Sequence, residues 1–269
     1  MTRARCGIIL HPAGHTLSPV LHRTAYAALG LDAEFAVYDV PASGFAERLR
    51  ELRRAGLTQL CVSLPHKEAA LRAAERASDS ARAMGAANTL TELDGALVAD
   101  NTDWIGVTRA LEPHGPWPGR RATVLGAGGA ARAVVFALRR LGVEVTLVNR
   151  TAERAERVAA ELGARVGTLA EPWDLLVNAT SVGMSPQAGD TPAPAESLRP
   201  GALVFDTVYR PLETRLLREA RARGCRVQDG LEMLVHQAVE QIRIWSGRRA
   251  DAGALRRAAL EALHSGPHD

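Results

Sequence analysis

Ala122-Thr123-Val124-Leu125-Gly126-Ala127-Gly128-Gly129-Ala130-Ala131 decides the fold of this chain. A short β-prone run feeds G-x-G-x-x-A and then a helix, the setting in which this spacing cradles the pyrophosphate of a dinucleotide. The glycines let the turn close and let backbone approach a phosphate, while Ala131 allows the helix to pack close to the strand. The helix start adds free N–H groups and a positive dipole end. Gly126, Ala127, Gly128, Gly129 and Ala130 are therefore the expected cofactor contacts, although a tight βα turn without a ligand carries the same letters.

The next strand chooses among cofactors. NAD binders place an Asp or Glu about 20 residues on, to hold the ribose hydroxyls. That place, 21 residues past Gly128, is Asn149, followed by Arg150, Thr151 and, one turn later, Arg154. No carboxylate meets the ribose and two guanidinium groups suit a 2′-phosphate, which favours NADP. The competing reading is a plain helix start, with Thr151 as N-cap and Arg154 in solvent.

Around this turn the chain alternates strand and helix signals. Strands are expected at Ala122–Leu125, Glu144–Val148, Leu175–Asn178, Leu203–Asp206 and Arg226–Gln228, with helices between them. Upstream, strands at Cys6–Leu10, Glu34–Val40 and Gln59–Leu64 alternate with helices at Ser18–Leu29, Ser43–Ala55 and from Glu68. Asp94-Gly95 joins Thr89–Leu93 to Ala96–Ala99 as a two-residue hairpin, adding antiparallel strands at one sheet edge. The Pro/Gly-rich stretch 112–119 follows a short helix, Trp104–Leu111, and is the expected domain junction. Residues 185–200 carry four prolines and read as a surface loop, and two helices, Leu231–Ile244 and Ala250–His264, close the chain. The expected fold is two α/β domains: residues 1–103 completed by 238–269, and an inserted Rossmann domain, 104–237.

At 269 residues, 46% hydrophobic and 23% charged, the chain matches globular domains and neither disordered nor fibrous ones. Its net charge of +3 comes from arginines interleaved with glutamates, and aromatics make up 4%. Neither a clustered basic stripe nor a set of stacking platforms is there for a nucleic acid. Cys6, Cys61 and Cys225 are scattered and odd in number, which gives neither a disulfide framework nor zinc spacing. No metal is expected. No stretch approaches the roughly 18 apolar residues of a membrane span. A cytosolic protein is expected, acting on a small molecule as a monomer or homodimer.

Of 33 basic residues, 32 are arginine; Lys67 is the only lysine. Drift in composition would leave one by chance, but arginine cannot replace lysine where a proton must be given up. Lys67 also sits in Ser63-Leu64-Pro65-His66-Lys67, one of several polar elements at strand ends or helix starts. The others are His15-Thr16-Leu17-Ser18-Pro19, Asn88-Thr89 and Asp100-Asn101-Thr102-Asp103. Ligands of open α/β sheets bind at the carboxyl ends of strands, so these elements suit one crevice.

In order, these segments resemble the shikimate dehydrogenase family from about Pro12 to Gly247. The family's H-S-x-S-P is similar to His15–Pro19, and its N-V-T-V-P-x-K to Cys61–Lys67. Ala87–Thr89, Asp100–Asp103, Gly126–Ala130, Asn149–Thr151, Asn178–Met184, Asp206–Tyr209 and Gly230–Gln237 also match. The resemblance implies reversible reduction of 3-dehydroshikimate to shikimate with NADPH, a step of aromatic biosynthesis. It implies that Thr16 and Ser18 hold the substrate carboxylate, that Ser63, Asn88, Asp103 and Gln237 bond ring hydroxyls, and that Tyr209 lies near the ring. Thr207, Gly230 and Met233 would face the nicotinamide, and Lys67 and Asp103 would be the catalytic pair, in a crevice between the domains.

The residues themselves allow plainer readings. Ser18 before Pro19 is a good N-cap, Asn88 and Asp103 are turn formers, Gln237 suits a satisfied helix contact, and Tyr209 and Met233 suit packing. Leu10, Ala13 and Trp104 depart from the family pattern, and Thr16 and Ser63 exchange its Ser and Thr. These departures bear on substrate breadth: quinate or an aminoshikimate-like acid, with NAD in place of NADP, is one alternative, and a non-catalytic NADP-binding regulator another.

Overall fold

The structure is a computed structural model and describes residues 3–14 and 16–265. The chain divides into two compact units: one runs to Thr102 and resumes at Val235, the other is Asp103–Leu234.

The first unit begins with β1 (Ala4–Leu10), whose last five residues are all buried, as a parallel strand covered on both faces demands. Then come α1 (Ser18–Leu29), β2 (Ala33–Asp39), α2 (Phe45–Arg54), β3 (Leu57–Val62) and α3 (Lys67–Ala73). A two-residue β4 (Arg76–Ala77), α4 (Asp79–Met84) and the hairpin β5 (Thr89–Leu93) and β6 (Ala96–Asp100) complete its sheet, in the order β2-β1-β3-β5-β6-β4. The β1–β2 and β1–β3 pairs are parallel, whereas β5 is antiparallel to both β3 and β6. The hairpin is therefore internal. The edge expected of it is taken by β4, which pairs in parallel with β6.

The second unit opens with α5 (Asp103–Leu111) and continues β7 (Arg121–Leu125), α6 (Gly129–Arg140), β8 (Glu144–Val148), α7 (Ala152–Leu162) and β9 (Arg165–Val166). It ends with β10 (Leu175–Asn178), β11 (Leu203–Asp206), α8 (Arg215–Ala222) and β12 (Arg226–Gln228). Its sheet is wholly parallel in the order β12-β11-β10-β7-β8-β9, the doubly wound pattern that reverses direction at β7. One core gathers Val124, Ala131, Val134, Leu138, Leu147, Val177 and Phe205 from strands and helices.

Two helices close the chain. α9 (Leu231–Ser246) starts in the second unit and passes into the first at Val235, and α10 (Ala252–Ser265) packs against α1. The division thus falls one residue before, and three residues before, the boundaries expected from sequence, and Gln237 belongs to the first unit. The stretch 112–119 is not a junction. Trp117 is buried in the core of the second unit and donates its indole N–H to Leu111 O at 3.0 Å, so these prolines and glycines fold the end of α5 back onto the sheet.

Candidate active site

In the first unit, strand direction collects the polar elements at one end of the sheet, where β1, β3 and β6 finish and β5 begins. Because β5 runs against β3 and β6, its start lies beside their ends, so Asn88 meets both the segment after β3 and the one after β6. Backbone bonds make this concrete: Val62 N–H to Asn88 O at 2.7 Å, Asn88 N–H to Asp100 O at 3.0 Å and Ala87 N–H to Lys67 O at 2.9 Å. The segment after β1 joins the same end of the sheet through His11 N–H to Leu64 O at 3.0 Å.

Lys67 is the first residue of α3. His66 before it is 1% exposed, stacks on Phe45 at 5.1 Å and reaches Val40 O through Nε2 at 2.7 Å. Burial holds its imidazole below the usual histidine range, so it stays neutral and donates that bond. Ser63, half-buried, accepts His66 N–H through its backbone oxygen at 2.9 Å and closes the turn. His66 thus anchors the turn that presents Lys67.

Asn88 is 2% exposed, and its carboxamide donates to Thr102 Oγ1 at 2.9 Å and Gln237 Oε1 at 3.4 Å. Its Oδ1 accepts Thr102 N–H at 2.8 Å and the Thr89 hydroxyl at 2.9 Å, and the Thr102 hydroxyl donates to Gln237 O at 3.0 Å. Asn88 is therefore more than a turn former. Thr102 ties Asn88 to Gln237, a role its sequence position gives no sign of.

Thr16 and Ser18 form a hydroxyl pair, Thr16 Oγ1 donating to Ser18 Oγ at 3.2 Å and accepting Ser18 N–H at 3.3 Å. The plainer reading of Ser18 as an N-cap does not hold. Leu17 occupies the cap position with no side-chain bond, Ser18 is already inside the first turn, and its hydroxyl turns to Thr16. His15 lies outside the described residues.

In the second unit, Gly126 has φ +112°, a region L side chains rarely adopt. A Cβ there would come within 3.0 Å of Ala179 O, at the end of the neighbouring β10, whereas one at Gly128 would meet nothing within 4 Å. The turn thus closes tightly at 126 and stays open at 128, just before α6. That fits a pyrophosphate. The end of β8 lies alongside, through Gly126 N–H to Val148 O at 2.9 Å, and places Asn149, Arg150, Thr151 and Arg154 next along the chain. Arg150 and Arg154 are exposed and in no ion pair among the described residues. Thr151 holds the cap position of α7 without a capping bond, and Asn149 Nδ2 donates to Thr151 O at 2.9 Å.

Beyond β11, Gly230 sits so close to the next segment that a Cβ would lie 2.3 Å from Thr207 O. Met233 is 7% exposed and shares the core of this unit, and Tyr209 is half-buried. Asp103 starts α5, 5% exposed. Trp104 packs edge-on against Phe136 at 5.6 Å, with Arg140 over its ring, so it fastens α5 to α6 within the unit.

Two polar clusters escape sequence reasoning. Asp206, fully buried at the end of β11, accepts from Asn178 Nδ2 at 2.9 Å, Val208 N–H at 3.0 Å and the Thr214 hydroxyl at 2.7 Å. Burial pushes its carboxyl up to about 6. In the first unit His22, fully buried, accepts the Tyr26 hydroxyl at Nδ1 (3.0 Å) and faces Gln241 Oε1 with Nε2 (3.3 Å). Desolvation lowers its imidazole to about 4. Among the described residues no group of three or more His, Cys, Asp or Glu is placed to hold a metal, and no helix is long and apolar enough to cross a membrane.

A doubly wound sheet with a glycine turn at its switch point is the architecture of a dinucleotide-binding protein, and the first unit adds a bonded cluster of amides and hydroxyls at Asn88, Thr102 and Gln237. Family models match residues 8–90 (shikimate dehydrogenase substrate binding domain), 109–186 (shikimate / quinate 5-dehydrogenase) and 230–260 (shikimate 5′-dehydrogenase C-terminal domain). Shikimate dehydrogenase (NADP(+)) of Thermococcus kodakarensis is 42% identical over 264 residues, covering 96% of each chain. With such a relative the chain belongs to the shikimate dehydrogenase family. Shikimate 5-dehydrogenase of Thermus thermophilus, solved in complex with NADP(H) and shikimate, superposes with a TM-score of 0.89 at 43% identity over 96% of this chain and 99% of that one. Ligand-free 5-ketofructose reductase of a Gluconobacter strain does so at 0.83 and 33%, over 97% and 99%.

Proposed function

We propose that the chain catalyses the reversible NADPH-dependent reduction of 3-dehydroshikimate to shikimate, a step of aromatic amino acid biosynthesis. The observation that carries this is 42% identity along 96% of the chain to an enzyme named for that activity. NADPH, when bound, supplies the hydride that the ketone carbon accepts. The turn Gly126–Ala130 would hold its pyrophosphate, Asn149, Arg150, Thr151 and Arg154 its 2′-phosphate end, and Thr207, Gly230 and Met233 its nicotinamide.

In this reading the Thr16 and Ser18 hydroxyls, with the N–H groups opening α1, take the substrate carboxylate. Ser63, Asn88, Asp103 and Gln237 bond the ring hydroxyls, and Tyr209 lies against the ring. Asn88 and Gln237 are supported by the bonds that orient their amides. As the carbonyl becomes an alkoxide, Lys67 donates the proton and lends its positive charge, and the carboxylate of Asp103 orients the amine. Three scattered, buried cysteines suit a reducing, cytoplasmic compartment, which completes the proposal.

Absorbance at the reduced-nicotinamide band tests it, with 3-dehydroshikimate and NADPH in one direction and shikimate or quinate with NADP+ or NAD+ in the other. Turnover highest with shikimate and NADP+ is expected. Preference for quinate or NAD+ would replace the substrate or cofactor named here, and no turnover with any pair would leave a nucleotide-binding regulator.

A further inference from the structure

We infer that Gln241 is a positioning residue: it fixes the register of α9 and the amide of Asn88, so that Asn88 and Gln237 present a preformed polyol-binding pair. Gln237, Gln241 and Trp245 recur every four residues and so share one face of α9. Gln241 is 2% exposed, and its side chain and backbone bond on every side. Its Nε2 donates to Asn88 O and to Thr89 Oγ1, both at 3.1 Å. Its Oε1 accepts from His22 Nε2 and from the Cys61 thiol, both at 3.3 Å, and its backbone oxygen accepts Gln59 Nε2 at 2.7 Å. One turn later Trp245 meets Tyr26 edge-on at 5.6 Å.

From donor to acceptor, these bonds run in one direction: Tyr26 hydroxyl to His22, His22 to Gln241, Gln241 to Thr89, and Thr89 hydroxyl to Asn88 Oδ1. Asn88 O can only accept, so the Gln241 amide turns its nitrogen toward β5 and its oxygen toward α1, and this orientation in turn calls for the proton of a neutral His22 on Nε2. The Thr89 hydroxyl, already accepting from Gln241, gives its proton to Asn88 Oδ1, which also accepts Thr102 N–H at 2.8 Å, and the two donors together turn Asn88 Nδ2 toward Gln237 and Thr102 Oγ1. None of these upstream groups is needed for proton transfer. A leucine at 241 would fill similar space but orient nothing, and would take this partner away from the buried His22, Thr89 and Asn88 groups. The gain from an amide here is orientation, and it falls on the two side chains that the proposed function assigns to ring hydroxyls.

The inference rests on that assignment, so the test separates the two. Gln241→Met keeps the length and removes every side-chain bond. In the shikimate-to-ketone direction we expect its KM for shikimate to rise about tenfold, with kcat and the KM for NADP+ within about threefold of the parent. Thr89→Val removes only the hydroxyl bridge and should raise the same KM about threefold, which keeps the test open if Gln241→Met folds poorly. In an Asn88→Ala background, Gln241→Met should add less than about twofold, since no amide remains to be oriented. A raised KM in Asn88→Ala with a normal one in both Gln241→Met and Thr89→Val overturns the positioning role, as does a loss confined to melting temperature. A normal shikimate KM in both Asn88→Ala and Gln237→Ala instead overturns the underlying assignment.

Discussion

An ammonium that must surrender a proton cannot be exchanged for a guanidinium, and on this chemistry Lys67 stands or falls. Lys67→Ala is expected to lower kcat by about 10²–10⁴ with a smaller change in KM, and Lys67→Arg should not restore it; a near-normal rate in the arginine variant removes the assigned role. Arg150, exposed and without an ion pair among the described residues, has a guanidinium to offer a 2′-phosphate. Arg150→Leu should weaken NADPH by about tenfold or more while leaving NADH nearly unchanged, and equal losses in a fluorescence titration would count against it. His22 makes a prediction about stability. The folded chain refuses the proton down to about pH 4, whereas the unfolded chain takes it up from 6.5. Its stabilising share is therefore complete above pH 6.5 and lost as pH falls toward 4, roughly 3 kcal/mol in all. Relative to the parent, His22→Gln should gain about 2–3 kcal/mol between pH 7 and pH 4.5 in urea unfolding.

Elements were legible wherever their signal is local. The buried run of β1, the Asp94-Gly95 hairpin and the glycine turn after β7 declare themselves, because burial on both faces, a two-residue turn and φ +112° each restrict which residues fit. What stayed hidden depends on partners distant in the chain. The strands β4 and β9 have two residues each and exist only by pairing with β6 and β8. Residues 112–119 end α5 in the same letters that would end a domain, and only the burial of Trp117 tells the two apart. Ser18 carries a cap's side chain but bonds Thr16. In the site, Lys67 and Asn88 stood out as polar residues at strand ends, while Gln241 did not, although its four-residue spacing from Gln237 was in plain view. At the end of β11, Asp206 ties β10 and α8 together. Replacing it with Asn should keep the Thr214 and Val208 bonds only in part, and should raise the KM for NADP+ about threefold or more while leaving that for shikimate unchanged; a shift in both would make the cluster a general fold support.

At the scale of the molecule, one buried group in each unit responds to acid, and the two respond with opposite sign. Asp206, held up to about 6, keeps a proton that the unfolded chain releases near 3.8, so its share of stability is complete below 3.8 and is lost as pH rises through 6. This is roughly 3 kcal/mol, opposed in direction to the His22 contribution over nearly the same window. Calorimetry of Asp206→Asn and His22→Gln at pH 4.5 and 7 should show pH slopes changed in opposite directions, and parallel changes would contradict one of the two environments. The chain also offers a spectroscopist something rare. With Lys67 as its only lysine, feeding 15N-labelled lysine yields one side-chain nitrogen resonance and no assignment problem. Its chemical shift, followed through a pH titration with and without shikimate, would report directly on which group holds the mobile proton in the oxidation direction, in an unmutated enzyme.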